Sequence, residues 1–85
     1  MEAGDSIAYA RLRRDILINY LNLTVPQLEQ TEMNMALWDY FHRVLTADQL
    51  VQRIRFGNEL AEAKKRTAAL AAHARALDVY LEIYE

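Results

Sequence analysis

The chain has 85 residues, 10 Lys and Arg against 12 Asp and Glu for a formal charge of -2, 53% hydrophobic residues, two glycines, one proline and no cysteine. That balance excludes a disordered, collagen-like or low-complexity chain, disulfides and thiolate metal sites, and a net field strong enough to draw the protein to nucleic acid or anionic lipid. It leaves one small domain whose core has to be economical.

The opening stretch, MEAGDSIAYARLRR, carries charges where a secretory signal needs apolar residues, and no apolar run approaches the length of a membrane span. The expectation is a cytoplasmic protein without a membrane segment. Asp5 and Ser6 are good N-cap residues, and Tyr9, Leu12, Ile16, Tyr20 and Leu23 recur at helical spacing, so a first helix is read over about 6–23. At NLTVPQLEQ, Thr24 is a cap and Pro26 sits in a first turn, where its missing N–H costs nothing. A second helix is therefore read over 25–45, with Glu29 and Glu32 early, His42 and Arg43 late, and an apolar side of Leu28, Met35, Leu37, Trp38, Phe41, Val44 and Leu45.

TADQ at 46–49 is a capping-box pattern that starts a third helix over 47–84. From Phe56 the spacing alternates four and three through Leu60, Ala63, Thr67, Leu70, Ala74, Leu77, Leu81 and Tyr84, which is a coiled-coil-like seam. Before Gly57 that seam falls on Arg53 and Gln49, while the apolar Leu50 and Ile54 lie on the other side, so the stripe is read as changing face at the glycine. Following Leu50 and Ile54 onward leads to Ala61, Ala68, Ala72, Val79 and Ile83, a second stripe opposite the first.

A helix of that length is a rod of roughly 57 Å, whereas a compact chain of this size is only about 30 Å across. Either the first two helices spread along it, or a second molecule covers the overhang, or Gly57 ends one helix and Asn58 caps the next. Glycine inside a helix costs about 1 kcal/mol against alanine, and strong helix formers flank Gly57, so a kinked or continuous long helix is favoured. The fold class expected is an all-α antiparallel bundle of three helices, or four with a break at Gly57, around a long C-terminal helix.

No motif carries chemistry. Asp39 and His42 share a helical face, but a di-metal bundle needs a second such motif and further glutamates, so no metal site, cofactor or catalytic residue is assigned. His73 is isolated in a charged strip, and WDYFHRVL at 38–45 reads first as helix core and second as an interface hot spot. The basic clusters at 11–14 and 53–66 are the whole case for a nucleic-acid binder, and Glu59 and Glu62 lie close enough to the second to neutralise it.

The reading that remains is a non-enzymatic protein-interaction module, an adaptor, an assembly chaperone or a small inhibitor such as viruses encode, acting by helix packing and as a homodimer or with another protein. The partner-binding residues assigned are Leu60, Leu70, Leu77, Val79, Tyr80, Leu81, Ile83 and Tyr84, with Arg53, Lys64 and Arg75 as rim charges that set register.

Overall fold

A computed structural model describes residues 3–85, with side chains described from Asp5 onward. Two helices account for nearly all of it: α1, Ala3–Phe41, and α2, Ala47–Tyr84, antiparallel and joined by the five residues 42–46. The molecule measures 61 × 19 × 15 Å with a radius of gyration of 18.8 Å, where a globule of this length has about 12 Å. It is an extended helical hairpin. The expected bundle of three or four helices does not form.

The helix boundary read at Thr24–Pro26 is the first correction. α1 runs through Pro26, although an interior proline removes one backbone hydrogen bond and costs about 3 kcal/mol. What outweighs that cost is the register of the inward-facing residues. Ala10, Leu17, Leu21, Thr24, Leu28, Met35 and Trp38 lie at heptad positions on both sides of the proline, and all are buried or half-buried. A break at Pro26 would throw one half of this seam off α2. Thr24 does not cap forward; its hydroxyl donates back to the Tyr20 carbonyl at 3.0 Å. Asp5 and Ser6 likewise sit inside the first turns of α1 and are not its caps.

α2 starts where the capping box places it. Thr46 Oγ1 accepts from the Gln49 N–H at 3.2 Å, and the Gln49 side chain accepts from the Thr46 N–H at 3.0 Å. α1 stops at Phe41, short of the Leu45 expected, and His42 Nδ1–H donates to the Trp38 carbonyl at 3.0 Å. The helix is continuous through Gly57, whose φ is not positive, so the fourth helix is absent.

The seam does not change face at Gly57. It continues onto Arg53 and Gln49, both half-buried against α1. Interhelical ion pairs fix the register: Arg11 with Glu85, Arg14 with Asp78 at 3.5 Å, Glu32 with Lys64 at 3.2 Å and Asp39 with Arg53 at 2.6 Å. That register sets Ala10 level with Leu81, Leu17 with Ala74, Leu21 with Leu70, Thr24 with Thr67, Met35 with Phe56 and Trp38 with Arg53. Among the described residues the buried side chains are Ala10, Leu17, Ala74 and Leu81. They pair small with large, which lets the helices approach closely at the end that holds the termini.

The apolar side read for the first helix is the other face of α1. Tyr9, Leu12, Ile16, Tyr20 and Leu23 all point to solvent, between 50% and 68% exposed. The apolar side read for residues 28–45 splits in two: Leu28, Met35, Trp38 and Leu45 are half-buried, while Leu37, Phe41 and Val44 are exposed.

Candidate interaction surfaces

Two strips of apolar residues run along α1, one spent on α2 and one left wet. The wet strip holds Tyr9, Leu12, Ile16, Leu23, Met33, Leu37 and Tyr40, each more than half exposed, and Val44 follows it exposed in the loop. These residues fall on two interleaved seven-residue repeats, so they lie in one line down the helix, opposite the hairpin seam. Asn19, Pro26 and Gln30 occupy the same repeats in the middle of the strip. Its length from Tyr9 to Tyr40 is about 47 Å at helical rise.

The outward face of α2 is built differently. Its first turns expose Leu50, Val51 and Ile54; beyond them it carries Arg55, Asn58, Glu62 and Lys65, then alanine, with Val79 and Ile83 near the end of the helix. Large exposed apolar side chains therefore form a long line on α1 and two separate patches at the ends of α2.

The residues assigned to partner binding from the sequence divide between the two faces. Leu60, Leu70 and Leu77 are half-buried and Leu81 is 2% exposed, all in the seam against α1. Tyr80 is half-buried beside Tyr84, ring centroids 4.7 Å apart, and it lines a groove with Asp5, Ser6, Tyr9, Ala10 and Leu77. Val79, Ile83 and Tyr84 remain exposed. Of the rim charges, Arg53 and Lys64 bridge to α1 inside the hairpin, and Arg75 is exposed with no ion pair among the described residues. The outward strip of α1 is what sequence reasoning missed as a site. Its signal was there to find, since two heptad repeats three residues apart, about one-sixth of a turn, run from Tyr9 to Tyr40.

At the loop end, Thr31, Asn34, Met35, Trp38, Arg53 and Phe56 line a shallow groove of about 230 Å³. Arg53 closes one side by a two-pronged bond to Asp39, Nε to Oδ1 at 2.6 Å and Nη2 to Oδ2 at 2.8 Å. That hydrogen-bonded guanidinium holds the Asp39 carboxyl below its ordinary pKa, and the carboxylate in turn raises that of Arg53. With Asp39 bound to Arg53, and His42 bonded to the Trp38 carbonyl and stacked on its indole at 4.4 Å, the two do not converge as ligands. No group of three or more His, Asp or Glu side chains placed to hold a metal occurs among the described residues.

The basic clusters are largely engaged. Arg11, Arg14, Arg53, Lys64 and Lys65 each lie within ion-pair distance of a carboxylate, and Arg13 Nε–H donates to His73 Nε2 at 3.2 Å. No helix among the described residues is long and apolar enough to cross a membrane. Compared with protein-family models, curated proteins and solved structures, the chain matches none.

Proposed function

We propose that the protein is a non-enzymatic interaction module that works by packing the outward face of α1 against helices of a protein chain. The observation that carries this reading is the strip from Tyr9 to Tyr40, apolar at heptad spacing and more than half exposed at each of its seven large side chains. A soluble monomer seldom leaves a contiguous apolar patch of more than a few hundred Å² in water, and a patch laid out as a coiled-coil seam fits one occupant best, another helix. The hairpin itself gains little from these residues, because α2 covers the opposite face. Adaptor, assembly-chaperone and inhibitor roles all use such a strip, and the chain that docks on it decides among them.

The arginine and lysine clusters support a phosphate-binding role less well, since most of them already face carboxylates. Binding through α1 is tested by placing a photo-crosslinking residue at Ile16, at Leu37 and, as control, at Glu62 on the polar outer face of α2, in the native cell. Protein adducts at positions 16 and 37 and not at 62 are the expected result. Adducts no stronger at 16 and 37 than at 62 would overturn the assignment.

A further inference from the structure

The strip on α1 has a pattern that names its occupant. We infer that the occupant is a second copy of this chain, its α1 antiparallel to the first about a two-fold axis near residues 24 and 25, so that two hairpins form a four-helix bundle with the α1 pair at its centre. This rests on the interaction reading above and adds to it the identity of the partner.

The first argument is register. In an antiparallel pair of helices, each residue of one heptad repeat faces a residue of the other repeat on the partner. One alignment sets Tyr9 against Tyr40, Leu12 against Leu37 and Ile16 against Met33, apolar on apolar, each layer occurring twice through the two-fold axis. The same alignment sets Asn19 against Gln30 and Leu23 against Pro26. The two polar residues of the strip thus meet each other. Gln30 Nε2 already donates to Asn34 Oδ1 at 3.0 Å, which leaves the Gln30 carbonyl oxygen to accept from the Asn19 amide, so neither group is buried without a partner. Sliding the helices by one heptad in one direction buries Asn19 against Leu37. Sliding them in the other sets Gln30 against Leu12 and Asn19 against Leu23. Only the first alignment is free of these mismatches.

The flanking positions agree. Arg13 falls opposite Asn34, Tyr20 opposite Gln27, Asn22 opposite Glu29 and Asp15 opposite Ala36, with no like charges face to face. Arg11, Arg14, Glu32 and Asp39 face α2 and take no part in this contact, and the antiparallel pair opposes the two helix dipoles where a parallel pair would align them.

Area is the second argument. The hairpin exposes 6750 Å², where a compact monomer of 9.9 kDa exposes about 5,200 Å². The excess is about 1,500 Å², and covering roughly half of it on each copy gives an interface of standard size. A symmetric contact is also the commonest way for a single chain to cover such a face.

The test is sedimentation equilibrium of the full chain across a range of concentrations, joined to a crosslink that reads the register. The expected mass is twice that of one chain, falling to that of one chain in Leu37→Asp, with the helical circular dichroism of the hairpin kept because Leu37 lies outside its seam. Because the chain has no cysteine, oxidising a mixture of the Leu12→Cys and Leu37→Cys proteins should join one to the other, while neither protein alone should crosslink. Disulfides formed within either protein alone would mean a parallel pair, and a mass insensitive to Leu37→Asp would place the contact elsewhere; each overturns the proposal. A single-chain mass at all concentrations also overturns it, and if photo-adducts at Ile16 to a different protein persist, the interaction reading survives without the second copy.

Discussion

At the end of the hairpin that holds the termini, alanine on one helix meets leucine on the other: Ala10 is level with Leu81 and Leu17 with Ala74, all four under 9% exposed. At the loop end the same heptad positions hold Met35, Trp38, Gln49, Arg53 and Phe56, none of them fully buried, and the helices are bridged by an ion pair beside an open groove. One seam thus runs on two kinds of physics, close packing at one end and directional polar contacts at the other. Close packing gives stability in proportion to what is buried, whereas an exposed ion pair gives register more than strength.

The sharpest way to break that contrast is to truncate one large side chain at each end. Leu81→Ala should cost about 2–5 kcal/mol, because a buried leucine leaves a cavity the helices cannot fill, while Phe56→Ala, removing a side chain already 55% exposed, should cost about 1 kcal/mol by lost contact area. Urea unfolding followed by circular dichroism, at one fixed protein concentration, measures both. Equal losses would mean that the loop end is as tightly packed as the other, and the distinction would fall.

A smaller effect separates the ends by pH. The Asp39 carboxyl is held below its ordinary pKa by the Arg53 guanidinium, so its contribution is fully present above the unfolded value and is lost as pH falls through the folded one. Acidification below about pH 4 should therefore weaken the loop end through this pair. Asp39→Asn should lower the melting temperature slightly at neutral pH and flatten its fall below pH 4 relative to the natural chain. Hydrogen exchange should place the change in the amides around the loop, and exchange that instead rises around Ala10 and Leu81 would sink the assignment.

What the sequence made legible follows the same division. The start of α2 could be read because a capping box is a local device, complete within Thr46–Gln49. Its seam could be read from Leu60 to Leu81 because the repeat is long and mostly apolar, although the ends expected for it, Phe56 and Tyr84, are more than half exposed. α1 was misread because the stronger-looking stripe, Tyr9, Leu12, Ile16, Tyr20 and Leu23, is not the one that faces α2. The true seam there runs through Ala10, Arg14, Leu17, Leu21 and Thr24, where an arginine, a threonine and an alanine hide the period until Asp78, Thr67 and Leu81 are known to lie across from them. Local turn chemistry at Thr24 and Pro26 also pointed to a break, and only the non-local gain of keeping one register from Ala10 to Trp38 overrides it. The outward strip is the residue of the same error: assigned to a core, it could not be seen as a surface.

Gly57 gives the finest probe of the loop end. Its backbone is helical, so alanine there meets no strain and should gain up to about 1 kcal/mol from helix propensity and a less flexible unfolded chain. Against this, a Cβ at position 57 would come within 3.0 Å of the Arg53 guanidinium, the group that reaches across to Asp39. The absent side chain therefore leaves room for the bridge. Gly57→Ala in the natural chain should show only part of the propensity gain, because Arg53 must shift by a few tenths of an ångström and loosen its hold on Asp39. In an Arg53→Ala background there is nothing to displace, and Gly57→Ala should show the gain in full. Thermal melts of the four proteins in that cycle measure the coupling. A gain that is the same in both backgrounds would mean that the guanidinium moves aside freely and that the glycine serves no purpose in the bridge.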